Sequence, residues 1–355
     1  MNGQVFHPPW LLRNAHVQTV VTGTVLRKRM LHRRDHGFAT NARGHTLDCG
    51  GGVRLQGLHN RGDAERPLVV LLHGWEGCAD SLYMRSAGNY LFERGFDVFR
   101  LNFRDHGSTQ HLNRELFHSC RIEEVVNALG VVQRTFGDRP LLLGGFSLGG
   151  NFALRAALRA VEANVSLGGI FAVCPVLQPE NTLIAMERGW SAYHGYFMRR
   201  WRRSLIKKHS CFPGDYDIDA MLANRNLREM TDYLVRHHTH FPDLLAYLHG
   251  YAITGDVLSE LAVPACILAA EDDPIIPARD LGALAKPECL EIRATRLGGH
   301  CGYIEDYKLN SWSDGMMARW FASCAESADV IDFGSKTHRR RDVKQTPEPS
   351  SRKAQ

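Results

Sequence analysis

Six short apolar runs punctuate the chain: PLVVLLHG (67–74), FDVFRLNFR (96–104), PLLLGG (140–145), LGGIFAVCPV (167–176), PACILAAED (264–272) and LEIRATRL (290–297). Unbroken apolarity over so few residues suits strands covered on both faces, as in a parallel sheet. The intervening segments carry helical spacing. Residues 80–94 open with Asp80 as N-cap and stop at Gly95; residues 113–136 open with Asn113, place Leu116, Phe117, Cys120, Val125, Val126 and Leu129 on one face, and stop at Gly137. Strand and helix therefore alternate, which predicts an α/β fold with a mostly parallel sheet flanked by helices. Weaker strands are expected on either side of the Gly50, Gly51, Gly52 run. Between Pro175 and Pro264 the alternation fails. That interval is helical and aromatic-rich, far longer than one crossover, and reads as a helical cap insertion over about 178–260 on a main domain of 1–330.

Composition narrows the class. The chain has 355 residues, 44% of them hydrophobic and 23% charged, which are globular values and exclude collagen-like or wholly disordered chains. Nine cysteines, odd in number and without a CxxC pair, point to reduced thiols and a cytoplasmic setting. The first thirty residues lack the apolar run of a secretory signal, and LGGIFAVCPVL (167–177) is about half the length of a membrane span. The net charge of +5 resides in the last 22 residues, where seven basic and two acidic side chains account for all of it. Residues 334–355 read as a disordered basic tail, and the body is neutral, which gives no reason to expect nucleic acid.

Residues 145–149, Gly-Phe-Ser-Leu-Gly, place Ser147 between an apolar strand and a segment with Phe152, Ala153, Ala156, Ala157 and Ala160 at core spacing. A serine at such a strand-to-helix turn stands clear of the sheet, and glycines two residues to each side let strand and helix pass. A neutral hydroxyl needs a general base and a carboxylate to orient that base, following in the order acid, then histidine. Of the eighteen histidines, His300 and His338 follow the last strands, and His338 lies in the tail; His300, after Gly298 and Gly299, is the base. The acid is Asp273, with the adjacent Asp272 as the alternative, because Pro274 fixes the turn that lets Asp273 project. An oxyanion needs two amide donors, here the backbones of Leu148 and of Trp75 in HGWEGCAD (73–80), with His73 and Gly74 shaping that loop.

The pieces PPWLLRNAHVQT (8–19), HGWEGCADSLY (73–83), LNFRDHGST (101–109), LFHS (116–119), GGFSLGGN (144–151), HGYA (249–252), AAEDDPIIP (269–277) and GGHCGYIE (298–305) together resemble the YheT-like branch of the α/β-hydrolases, related to eukaryotic abhydrolase lipases. The resemblance implies the α/β-hydrolase fold and a serine carboxylesterase acting on short- to medium-chain acyl esters of small molecules, with Ser147, Asp273 and His300 as the triad and no cofactor. Glycerolipid lipase or acyltransferase chemistry is the alternative on the same triad, and a non-catalytic binding protein a further one. Trp75 and Cys78 stand where the branch suggests Leu and Ser.

Residues 190–209 set Tyr193, Phe197, Trp201 and Leu205 four apart, with Arg199, Arg200, Arg202, Arg203, Lys207 and Lys208 around them. Such a helix packs its aromatic stripe on the domain; its other reading is peripheral contact with an anionic membrane. His237, His238 and His240 lack the carboxylate-histidine pattern of a metal site, and no metal is expected.

Overall fold

The structure, a computed structural model, describes residues 5–62, 66–137 and 139–339, with side chains as far as Glu326. Eight strands, β1 (Arg43–Asp48), β2 (Arg54–Asn60), β3 (Leu68–Leu72), β4 (Asp97–Asn102), β5 (Leu141–Phe146), β6 (Leu167–Val173), β7 (Ala265–Ala270) and β8 (Leu290–Thr295), form one sheet in the order β1-β2-β4-β3-β5-β6-β7-β8. β3 to β8 run parallel, and β2 is antiparallel to both its neighbours. Every apolar run named above is a strand, and the Gly50–Gly52 turn joins the two weaker ones.

Helices α1 (Ala15–Val21) and α2 (Val25–Arg34) precede the sheet; α3 (Leu82–Phe92), α4 (Ile122–Phe136) and α5 (Leu148–Ala160) are crossovers. After β6 come α6 (Pro179–Arg188), α7 (Ser191–Cys211), α8 (Ile218–Ala223), α9 (Leu227–His238) and α10 (Leu244–His249), which fall within the interval assigned to the cap; α11 (Trp312–Arg339) follows β8. Period-2 alternation sorts the central strand between two cores. Leu68, Val70 and Leu72 face the layer of α4 and α5, while Val69 and Leu71 face that of α3 and α11. The carboxyl ends of β3 and β5 lie side by side, and there the chain reverses its direction of travel across the sheet, the place where open α/β sheets bind ligands.

Three boundaries differ from expectation. α3 starts at Leu82 with Ser81 at the N-cap, because the Asp80 carboxylate turns instead to Arg100 at 3.4 Å. α4 starts only at Ile122. Residues 113–121 are held out of the helix by tertiary polar contacts: Asn113 exchanges hydrogen bonds with the Arg54 backbone at 2.8 and 2.7 Å, Phe117 N–H donates to Asp105, and Ser119 N–H donates to Tyr247 Oη. α11 runs to Arg339, past the expected start of the tail at Gly334, because a helix anchored by buried Met316, Met317, Phe321 and Cys324 meets no proline before Pro347. Residues 340–355 lie outside the described residues.

In α7, Tyr193, Trp201 and Leu205 are buried and Phe197 is packed against them, so the aromatic stripe faces the domain. Lys208 on the same helix is also buried. Its ammonium donates to Asp105 at 2.7 Å and to the backbone carbonyls of Gln110, Asn113 and Glu115, fastening α7 to the loop after β4. Removing one partner of a pair with side-chain exposures of 1% and 6% strands a buried charge. Lys208→Met should therefore cost about 3–5 kcal/mol in urea unfolding, and adding Asp105→Asn should recover part of that loss.

Candidate active site

Ser147 follows β5 directly and adopts φ 53° and ψ −119°, a left-handed conformation rare for a residue with a Cβ. Tight approach on both sides enforces the turn. A Cβ on Gly145 would sit 2.3 Å from the Gly149 carbonyl oxygen, one on Gly149 would sit 2.3 Å from the Leu72 carbonyl oxygen, and one on Gly74 would meet the Ser147 Cβ at 3.3 Å. The glycines thus bring β3, β5 and α5 together at the serine. Ser147 is the N-cap of α5, so its hydroxyl lies at the positive end of a 13-residue helix.

His300 and Asp273 converge on it. His300 Nε2 lies 2.9 Å from Ser147 Oγ, and His300 Nδ1 lies 2.9 Å from Asp273 Oδ2. A carboxylate only accepts, so Nδ1 carries the proton, and the Nε2 lone pair is left to accept from the serine hydroxyl. Asp273 is fixed in turn: its Oδ1 accepts from the N–H groups of Ile275 and Ile276 at 2.8 and 2.9 Å, the tight turn set by Pro274. Asp272 has a different task. Its Oδ1 accepts from Gly299 N–H at 2.9 Å, tying the end of β7 to the loop that carries His300. Burial would lower the His300 pKa, but the Asp273 carboxylate, together with the contact to Cys301, outweighs it and holds the imidazole well above its ordinary range.

Two backbone donors stand next to Ser147 in the chain or across the Gly74 contact. The N–H groups of Leu148, first residue of α5, and of Trp75 make no hydrogen bond within the chain among the described residues. The Trp75 loop is shaped by neutral histidines, as expected of His73. His73 Nδ1–H donates to the Gly74 carbonyl while its Nε2 accepts from Phe103 N–H; His106 Nδ1–H donates to the Arg104 carbonyl while its Nε2 accepts from Glu76 N–H. Burial pushes the pKa of both rings far down, His106 to about 4, which keeps these tautomers at neutral pH. Above the loop, the Trp75 ring stacks on Phe197 of α7 at 5.3 Å and meets Trp201 edge-on at 5.2 Å.

The N-terminal segment supplies supports that sequence reasoning passed over. Thr19 Oγ1 accepts from His300 N–H at 2.9 Å, and Gln18 bonds both N–H and carbonyl of Ile304 at 2.7 and 3.0 Å. A Cβ on Gly299 would strike the Ala15 carbonyl oxygen at 2.4 Å, so α1 is seated against the histidine loop. The quoted segment PPWLLRNAHVQT was the available signal, since it ends on these residues. Of the other histidines singled out, His237 packs on the Tyr233 ring at 4.2 Å and His238 on Tyr216 at 5.6 Å.

A model of the α/β-hydrolase fold matches residues 67–307, more than half of the chain. The chain belongs to the α/β-hydrolase family. Within it, the expected likeness to the YheT branch holds: the chain is 28% identical over 334 residues to the YheT protein of Escherichia coli strain K12, named as a candidate esterase, covering 88% of this chain and 92% of that one. It is 24% identical over 293 residues to a Saccharomyces cerevisiae protein named medium-chain fatty acid ethyl ester synthase/esterase 2, covering 74% of this chain and 64% of that one. The solved Pyrococcus furiosus esterase Pf2001 shares the fold, with a TM-score of 0.53 at 12% identity over 81% of this chain and 95% of that one.

Only the neutral imidazole can accept a proton, so the reactivity of Ser147 toward a fluorophosphonate should rise with pH. With the His300 pKa raised, the midpoint of that rise should lie above the ordinary value of about 6.5. Thr19→Val removes the acceptor for His300 N–H; it should slow the same reaction by up to about 100-fold while leaving the midpoint in place, since displacement by about 1 Å suffices for such a loss.

Proposed function

We propose that this α/β-hydrolase cleaves carboxylic esters of small molecules through an acyl-enzyme on Ser147. The observation that carries the reading is the continuous relay from Ser147 Oγ through His300 to Asp273, with both links at 2.9 Å. Ser147 Oγ attacks the ester carbonyl as its proton passes to His300 Nε2, and the carbonyl oxygen, now an anion, accepts from the amides of Leu148 and Trp75. Collapse expels the alcohol, which takes the proton from Nε2. Water then attacks the acyl-serine with His300 again as base, and the carboxylic acid leaves. Asp273 keeps the tautomer and stabilises the imidazolium without taking the proton. The chemistry calls for no cofactor.

The aromatic roof formed by Trp75, Phe197 and Trp201 supports short- to medium-chain acyl groups, because rings packed face to face and edge-on offer a bounded wall. The yeast relative's printed name supports a second reading, transfer of a medium-chain acyl group to an alcohol in place of water. Nine unpaired cysteines support a reducing, cytoplasmic compartment. Among the described residues no helix is long and apolar enough to cross a membrane. With the stripe of α7 packed inward, a peripheral contact through 190–209 would fall to exposed Trp190, Tyr196 and Ile206.

Aryl esters graded from acetate to dodecanoate test the reading. Wild type should show an optimum among the shorter acyl groups, Ser147→Ala should lose on the order of 10⁶-fold in kcat, and Asp273→Asn about 10⁴-fold. Turnover by Ser147→Ala at the wild-type rate would overturn the mechanism. Phe197→Ala should move the optimum to longer chains, and added ethanol separates the two readings by whether the product is the acid or the ethyl ester.

A further inference from the structure

Two cysteines stand against the catalytic corner and take no part in the relay. Cys174 is the residue after β6 and Cys301 follows His300. Both adopt left-handed backbone conformations, φ 44° and 54°, as Ser147 does. Strain of this kind persists only where the surroundings over-determine it, and it clusters at functional sites. Here two loops, the one after β6 and the one that carries His300, bring two thiols and the imidazole together. The Cys174 sulfur accepts from Cys301 N–H at 3.4 Å, and the Cys301 sulfur lies 4.0 Å from His300 Nε2. The two sulfurs and the imidazole nitrogen all lie within 4.8 Å of one another.

We propose that Cys174, Cys301 and His300 form a Zn²⁺ site whose occupancy blocks ester cleavage. Zinc held by two thiolates and one imidazole, at about 2.3 Å from sulfur and about 2.0–2.1 Å from nitrogen, needs ligand atoms roughly 3.5–3.8 Å apart. The three atoms reach that spacing by closing in a few tenths of an ångström to about one. Two sulfurs and a nitrogen are the donor set that favours zinc over magnesium or calcium. The outer shell is already present: Asp273 accepts from Nδ1 of His300, the carboxylate–histidine arrangement that fixes a zinc-bound imidazole through its other nitrogen. Cys174 is fully buried, while His300 and Cys301 are partly exposed, so the ion enters from the substrate side. Ser147 Oγ, 2.9 Å from Nε2, occupies the lone pair that the metal takes, so the hydroxyl rotates aside as the ion binds and a water completes the fourth position.

Binding releases one proton from each thiol, and no electron is transferred. The Nε2 lone pair that would take the serine proton is donated to the metal instead. Zinc and substrate activation therefore compete for one atom. The metal site stands on its own geometry; its inhibitory effect rests on the proposed hydrolysis.

The test uses the full chain with thiols kept reduced. Co²⁺ should give a thiolate-to-cobalt charge-transfer band in the near ultraviolet with tetrahedral bands in the visible, displaced by one Zn²⁺ per chain. Ser147→Ala should keep these bands although it is inactive, which separates failure of the metal site from failure of the esterase reading. Cys174→Ala and Cys301→Ala, each checked for native far-ultraviolet circular dichroism, should lose the charge-transfer band and bind zinc more than about tenfold more weakly, since outer-shell changes alone cost about 10–100-fold. Cleavage of an aryl ester by wild type should fall as zinc fills the site and return on adding EDTA. Absence of a thiolate band, or equal zinc affinity in wild type and both cysteine variants, would overturn the site; full activity of the zinc-loaded wild type would overturn the block.

Discussion

The architecture turns on one backbone constraint, the left-handed turn at Ser147. An L-residue does not adopt φ 53° without compensation, and the compensation is spread over three elements. Gly145 and Gly149 allow β5 and α5 to double back within van der Waals contact, and Gly74 brings the loop after β3 against the serine Cβ. The parallel pairing of β3 with β5 fixes where that loop can be. Once the turn is made, the first amide of α5 and the Trp75 amide are left without partners among the described residues. The same clearance that relieves the turn thus creates the polar corner.

Around this corner the protein relies on buried polar contacts that hold loops in register. Lys208 and Asp105 clamp α7 to the loop after β4, and Arg104 meets Glu124 at 2.8 Å beneath it. Neutral His73 and His106 define the path of the Trp75 loop. Asp272, Thr19 and Gln18 bracket the loop of His300 from two sides. The contacts of His73, His106, Asp272, Thr19 and Gln18 each satisfy a backbone group that the irregular loops would otherwise leave unpaired.

Much of this was legible in the sequence because its signals are local. Strands buried on both faces announce themselves as apolar runs, and a serine flanked by glycines between a strand and a helix has few other readings. Asp273 could be preferred over Asp272 because Pro274 constrains the neighbouring turn. What was not legible depends on distant partners. Residues 113–121 carry helical spacing, yet Asn113 is captured by Arg54 and Phe117 by Asp105, so propensity loses to tertiary hydrogen bonds. Asp80 gives up its cap to reach Arg100, 20 residues on. Thr19 meets His300 across 281 positions, and no periodicity encodes such a pairing. Cys174 and Cys301 carry no spacing signal of their own; only the sheet brings the loops after β6 and β8 to the same imidazole.

The seating of α1 on the histidine loop has a bearing on biosynthesis. The helix at Ala15–Val21 leaves the ribosome well over two hundred residues before the groups it grips, His300 and Ile304. While the 281 positions between Thr19 and His300 are translated the helix has no counterpart, and the parallel strands between them must associate before the two meet. Nascent or prematurely terminated chains therefore cannot carry an assembled hydrolytic centre, which restrains a reactive serine until the whole sheet exists.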